Sequence, residues 1–180
     1  MKLMALDGNS LAYRAFYALP EDMTNASGQA TNSVYGFTTM LLTLLREHAP
    51  DGIIVVFDRS EPTFRHVAIP EYKAQREKAP DTLYQQLGMI RERLDAMGVM
   101  WRDMAGFEGD DLIATMAERA EQDGDDLIVV TGDRDSYQLV RDPHIRVLYN
   151  KRGVSDYALY DEAGIFERTG VTPAQYADYA

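Results

Sequence analysis

Two short apolar runs without alternation, Ile53-Ile54-Val55-Val56-Phe57 and Leu127-Ile128-Val129-Val130, constrain this chain most, and each gives way at once to turn residues. A strand with one wet face alternates apolar and polar residues. Runs this uniform are buried on both faces, as in a parallel sheet covered by helices above and below. Elsewhere the apolar period changes to three and four. Val34, Phe37, Leu41, Leu44 and Leu45 define a helix from about Thr31 to His48, stopped by Pro50-Asp51-Gly52. Leu83, Leu87, Ile90, Leu94 and Met97 define another that ends at Gly98. A helix opens after Asp7 and carries Leu11, Tyr13, Phe16 and Tyr17; one more carries Leu112, Ile113, Met116, Ala117 and Ala120 and closes at Gly124. Further strands are predicted at Leu3 to Leu6, weakly at Val99 to Arg102, and at Ile145 to Tyr149, the last pairing with Val154 to Leu159 through Asn150-Lys151-Arg152-Gly153. A short helix is predicted near Ser136 to Val140, and Thr172-Pro173 has the cap and first-turn signature of a further one. Residues 59–80, with Pro62, Pro70 and Pro80, are less regular. Strands alternating with helices predict an α/β fold, a three-layer sandwich around a mostly parallel sheet.

At 180 residues one domain is the default. The apolar stretch at Leu3 to Leu6 is too short for a secretory signal, and no run approaches the roughly 20 residues of a membrane span. With no Cys, disulfides and thiolate zinc sites are excluded, which fits a cytoplasmic protein without a membrane partner. The net charge of −11 argues against a nucleic-acid partner unless the acids are gathered to hold cations.

Their placement decides the matter. Ligands of open α/β sheets sit beyond the carboxyl ends of the strands. Asp7 follows the first strand, Asp58 the second, and Asp133 and Asp135 the run at 127–130, while Glu108, Asp110 and Asp111 precede a helix on the same predicted edge. Each has a plainer explanation: Asp7 as a helix cap, Asp58 as a surface strand end, the 108–111 trio as partners of a helix dipole worth about 0.3–1 kcal/mol, and Asp133-Arg134-Asp135 as a turn. Coincidence favours a common site, because distant segments deliver carboxylates to one edge, where mutual repulsion raises their pKa values unless a cation relieves it. Oxygen-only ligands select Mg²⁺ or Mn²⁺, and His48, His66 and His144 lack metal-site spacing. Neither a GxxxxGK[ST] loop nor a GxGxxG fingerprint is present.

The segments Leu6-Asp7-Gly8-Asn9-Ser10-Leu11-Ala12-Tyr13-Arg14-Ala15-Phe16-Tyr17, Phe57-Asp58, Thr63-Phe64-Arg65, Pro70-Glu71-Tyr72-Lys73-Ala74-Gln75-Arg76, Gly106-Phe107-Glu108-Gly109-Asp110-Asp111-Leu112-Ile113-Ala114 and Val130-Thr131-Gly132-Asp133-Arg134-Asp135 occur in this order along essentially the whole chain. Together they resemble the bacterial 5′ nuclease family, the flap endonucleases and 5′-3′ exonucleases. The resemblance implies a PIN-like fold with a helical arch, and hydrolysis of DNA at 5′ flaps, nicks and primer junctions. It implies a two-metal site of Mg²⁺ or Mn²⁺, with Asp7, Asp58, Glu108 and Asp110 around the first ion, Asp111 close by, and Asp133 and Asp135 at the second. By the same resemblance Lys73 and Arg76 project from the arch toward the scissile phosphate, Tyr72 stacks on a base, Arg65 lies in the DNA-facing arch segment, and Arg14 holds a phosphate, although Arg14 reads equally as a surface cation. The arch segment supports this, since residues 59–78 carry five Lys or Arg against three Glu. Tyr13, Phe16 and Tyr17 read as core.

Two departures stand out. Gly109 replaces the Ala usual in the family, and a modest loosening of Glu108 and Asp110 is expected from it. The helix-hairpin-helix-like module that follows in the family, with two more aspartates for the second ion, is absent from these 180 residues. The expectation is one PIN-like domain over residues 1–180, truncated before that module, with an incomplete second metal site and weak cleavage; a polymerase domain in a longer parent is a candidate partner whose attachment the sequence does not decide. A DNA-binding fragment without turnover and a PIN-like ribonuclease are the alternatives.

Overall fold

The structure is a computed structural model that describes residues 1–75 and 77–180. Six strands form one sheet: β1 (Lys2–Asp7), β2 (Gly52–Val56), β3 (Met100–Arg102), β4 (Asp126–Thr131), β5 (Ile145–Arg152) and β6 (Asp156–Tyr160), in the order β3-β2-β1-β4-β5-β6. All neighbours are parallel except β5 and β6, which close an antiparallel hairpin through the turn at Gly153. Both faces are dry, which accounts for the uniform apolar runs. Met4 and Leu6 of β1, Val55 of β2 and Val130 of β4 enter one core with α1 (Gly8–Ala18), α2 (Asn32–His48) and α4 (Asp81–Met97). Ala5, Val56, Leu127 and Val129, pointing the other way, join α5 (Gly109–Asp123), α6 (Glu162–Thr169) and α7 (Pro173–Tyr179) in a second core. The expected three layers and mostly parallel sheet are therefore present.

The crossovers explain the layering. From β1 to β2 to β3 the chain moves one way across the sheet, with α1, α2 and α4 on one face. It then returns from β3 past β1 to β4, so a right-handed connection puts α5 on the opposite face. The direction of travel thus reverses between β1 and β4, which opens a crevice at their carboxyl ends.

Several elements depart from the sequence reading. Thr63 opens a five-residue helix, α3 (Phe64–Ala68), and residues 70–75 continue as turns, so the described part of the arch is one short helix followed by turns. The α6 helix was not predicted. Gly164 weakens its helical signal and Ile165 is its single buried residue, but the Asp161 carboxylate caps it by accepting from the Gly164 N–H at 2.8 Å. The β5 strand continues three residues past Tyr149. Near Ser136 the helix is a 3₁₀ helix, Arg134–Leu139, and α7 docks beside it with the Tyr176 ring 5.4 Å from that of buried Tyr137. No helix among the described residues is long and apolar enough to cross a membrane.

The α1 and α2 helices approach closely at Gly36. A Cβ there would lie 2.7 Å from the Ala15 Cβ and 2.9 Å from the Leu19 Cδ1. Replacing glycine in a helix gains roughly 0.5–1 kcal/mol in backbone entropy, whereas overpacking a well-filled contact costs about 1–3 kcal/mol, so the packing term wins. Gly36→Ala is expected to lower the urea midpoint, by about 1 kcal/mol in stability; an equal or higher midpoint would show that the helices part without penalty.

Candidate active site

Four acids meet at the β1–β4 crevice because each ends or follows a buried strand or opens a helix. Asp7 is the last residue of β1, Asp58 lies just past β2, Asp133 just past β4, and Asp110 in the first turn of α5. A collar of short polar groups fixes Asp7, Asp58 and Asp133. The Asp7 Oδ1 accepts from the Ser10 N–H at 3.0 Å, so the acid does cap α1, and its Oδ2 accepts from the Thr131 hydroxyl at 2.8 Å. The Asn9 carboxamide oxygen accepts from the Asp58 N–H at 3.0 Å, and the Asp58 Oδ1 accepts from the Gly109 N–H at 2.6 Å. Across the crevice the Ser10 hydroxyl accepts from the Gly132 N–H at 2.9 Å. Asp133 caps the 3₁₀ helix by accepting from the Asp135 N–H at 2.9 Å.

Their charges act on one another. Asp7 keeps some exposed surface as a residue, but protein atoms surround its carboxylate, and this burial pushes its pKa up to about 6 against the ordinary 3.8; the hydrogen bonds from Ser10 and Thr131 oppose the rise, and the charges of Asp58 and Asp133 add to it. Asp110 is raised to about 7, first by burial and then by Asp7, Asp133 and Asp58, with Lys73 opposing. Its residue surface is more open than that of Asp7, so solvent screens part of the effect. Asp135 is raised by burial and by Asp133. The acids are thus gathered within electrostatic reach, yet among the described residues no three His, Asp or Glu side chains are arranged as a ready cage for an ion.

Glu108 and Asp111 turn toward the arch. The Glu108 Oε1 is 2.9 Å from the Lys73 ammonium, and its Oε2 accepts from the Tyr72 hydroxyl at 3.0 Å, with the Arg65 guanidinium 3.7 Å away. Arg65 forks onto both oxygens of Asp111 at 2.7 Å, which holds the Asp111 carboxyl below its usual range despite partial burial. Burial opposes the charge on Lys73, but its bond to Glu108 prevails and the ammonium pKa is raised. Lys73 also sits at φ 55°, left-handed for a residue with a Cβ, a conformation that costs about 1 kcal/mol or more and persists only where its surroundings enforce it. Arg14 lies against Gly132 at the crevice, with weak 3.5 Å contacts to the carbonyls of Gly132 and Lys151. Arg76 lies outside the described residues. Of the residues singled out from sequence, the structure therefore gathers Asp7, Asp58, Asp110 and Asp133, puts Asp135 beside them, and groups Glu108 and Asp111 with Arg65, Tyr72 and Lys73.

The collar escaped the sequence reading. Asn9, Ser10 and Thr131 looked like turn and cap residues, and their one signal is a small polar group directly at each strand end. The Gly109 N–H anchors Asp58, and a Cβ there would come within 3.2 Å of the Asp58 Oδ1, a close approach the sequence did not announce. A groove of ≈ 570 Å³ between α2 and α4, lined by Val34, Tyr35, Leu42 and Met89 among others, contains none of the acids.

Residues 2–170 match the family of the 5′-3′ exonuclease, N-terminal resolvase-like domain. The chain belongs to this family. The chain is 50% identical over 179 residues to DNA polymerase I of Mycobacterium bovis, covering 99% of this chain and 20% of the relative, and 44% identical over 177 residues to DNA polymerase I of Bacillus caldotenax, covering 98% and 20%. It thus spans about one fifth of the length of these curated relatives. Its fold matches that of a bacteriophage T5 protein crystallised with metal ions at a TM-score of 0.74 and 18% identity, over 98% of this chain and 63% of the other. A bacteriophage T5 flap endonuclease in a pseudo-enzyme-product complex with DNA and metal ions matches at 0.72 and 17%, over 98% and 64%.

The raised acids make stability depend on pH. A carboxyl whose folded pKa lies above its unfolded value contributes stability that is complete below about pH 4 and is lost as pH rises through the folded pKa. For Asp7 and Asp110 that window runs from about 4 up to about 6 and about 7. In EDTA the thermal midpoint is expected to fall by roughly 5 °C between about pH 5 and pH 7.5, and Asp110→Asn to flatten that slope. A midpoint that stays level or climbs over the same interval would contradict the electrostatic coupling.

Proposed function

We propose that this chain is a divalent-metal-dependent, structure-specific 5′ nuclease that hydrolyses DNA phosphodiesters at 5′ flaps and ends. One observation carries it: Asp7, Asp58, Asp110 and Asp133, from segments far apart in sequence, converge at the sheet's reversal point, where burial first and then their neighbours' charges raise the pKa of Asp7 and Asp110. Acids this close, with oxygen donors alone, fit a hard cation better than any other ligand class. Asp7, Asp58 and Asp110, with Glu108 and Asp111 beside them, would hold a first Mg²⁺ or Mn²⁺, and Asp133 and Asp135 a second. Bound there, such an ion would neutralise the acids and supply a Lewis acid to a phosphoryl oxygen.

The protein's own groups do the rest. The Ser10, Thr131, Asn9 and Gly109 hydrogen bonds orient Asp7 and Asp58 before any ligand arrives, so little reorganisation is left for the binding step. Lys73, Arg65 and Arg14 form a cationic rim for the substrate phosphates, joined by Arg76 on the resemblance, and Tyr72 offers a ring to a base. Because Lys73 and Arg65 are already paired with Glu108 and Asp111, an incoming phosphate competes with these carboxylates. Likeness to DNA polymerase I supports a setting in the cell interior, in which the domain is joined to a polymerase and clears flaps or RNA primers.

A second reading, a DNA-binding fragment without turnover, is favoured by the lack of a ready metal cage among the described residues. The two separate on a 5′-flap duplex with Mn²⁺. Metal-dependent cutting is expected, reduced at least about 100-fold in Asp58→Ala and abolished by EDTA, with single-stranded RNA left intact. Flap binding without cutting would install the second reading, and preferential cutting of the RNA would favour a ribonuclease.

A further inference from the structure

We propose that Thr131 is a positioning residue that ties Asp7 to Asp133 through one hydroxyl and thereby sets the affinity of the site for divalent cations. The inference rests on the metal-dependent reading above and assigns a role to a residue that does not itself ligate.

Thr131 ends β4 beside the reversal point and is fully buried. Its Oγ1 has two partners: it donates to the Asp7 Oδ2 at 2.8 Å and accepts from the Asp133 N–H at 3.0 Å. A hydroxyl has one proton and two lone pairs, and an amide N–H only donates. The directions are therefore forced, with the Thr131 proton committed to Asp7 and a lone pair to Asp133. The Asp7 Oδ1 is meanwhile held by the Ser10 N–H on α1. Each Asp7 oxygen thus has one neutral donor, from opposite sides of the crevice, and the carboxylate cannot rotate without breaking one of them. The same hydroxyl holds the backbone of Asp133, whose carboxylate influences Asp7 and Asp110.

Residue type matters too. Asp7 and Asp133 raise each other's energy as anions, so without an anchor they gain by turning apart, and a cation would then pay the cost of bringing them back. A β-branched side chain on a strand has a restricted χ1, which holds the hydroxyl at the angle both partners need. Serine keeps the hydroxyl and loses some of this restriction. Valine keeps the shape and loses the hydroxyl, which leaves the Asp133 N–H and one Asp7 oxygen without their partner. Loss of such an outer hydrogen bond typically lowers metal affinity 10–100-fold.

The test is Mn²⁺ binding to the 180-residue chain, with free Mn²⁺ followed by electron paramagnetic resonance, for the wild type, Thr131→Val, Thr131→Ala and Thr131→Ser, alongside far-ultraviolet circular dichroism. Both hydroxyl-free variants are expected to bind Mn²⁺ roughly 10–100-fold more weakly with unchanged dichroism, and the serine variant to stay within about threefold of the wild type. If valine does not fold, alanine carries the comparison. If neither folds, serine decides: a serine variant as weak as about tenfold below wild type overturns the role of the hydroxyl, and one near wild type sustains it. Hydroxyl-free variants with wild-type affinity overturn the inference alone, whereas a wild type that binds no Mn²⁺ overturns the metal-dependent reading beneath it.

Discussion

The gathering of carboxylates, out of reach of full solvation and within reach of one another's charge, at the carboxyl edge of the sheet is the constraint on which the rest of the structure turns. Burial and neighbouring charges raise Asp7 and Asp110 well above ordinary aspartates, so the folded chain holds acids where they are least comfortable. The hydrophobic layers on both faces of the sheet make this arrangement tolerable. They fix the ends of β1, β2 and β4 with buried apolar residues, so an acid placed just past each end has nowhere else to go. Strain at a functional edge is sustained by packing elsewhere, and the proposed cation is the partner that would relieve it.

Two sets of internal partners hold most of the acids in place. Neutral groups secure Asp7 and Asp58 at the crevice: the Ser10 and Gly109 N–H groups and the Thr131 hydroxyl donate to their carboxylates, and the Asn9 carboxamide oxygen accepts from the Asp58 N–H, so direction is fixed without cancelling charge. Cations secure the pair at the start of α5, where Arg65 and Lys73 pull Asp111 and Glu108 toward the arch. The division has a functional sense. Acids kept uncompensated remain available to a cation, while those already paired connect the arch to the same helix, so events at the arch and at the crevice meet on α5. Lys73, held at a positive φ while bonded to Glu108, is the point where that connection is most strained.

Much of the fold was legible because the apolar pattern is unambiguous where both faces are buried. Ile53 to Phe57 and Leu127 to Val130 located two central strands, and Gly98 and Gly124 marked helix ends that the structure confirms as left-handed caps. Once strand ends are known, Asp7, Asp58 and Asp133 follow as edge residues, which is why the crevice could be anticipated. Short elements with little core of their own could not: α3 buries none of its residues and α6 buries Ile165 alone. Side-chain direction was equally hidden. Glu108 and Asp110 are two residues apart at a helix start, yet one faces Lys73 and the other the Asp7 charge, a split set by the backbone of the arch and by the tight approach of Gly109 to Asp58. The collar residues were illegible for a simpler reason: a Ser, Asn or Thr at a strand end has the same signature whether it caps a helix or supports an acid across the sheet.

The most direct test of the central claim is a crystal of this chain grown with Mn²⁺ and measured for anomalous scattering. The account predicts at least one peak among Asp7, Asp58, Asp110 and Asp133 at the β1–β4 edge, the first beside Asp7, Asp58 and Asp110. Well-ordered crystals with no peak among these four, or with Mn²⁺ bound only elsewhere on the surface, would contradict it.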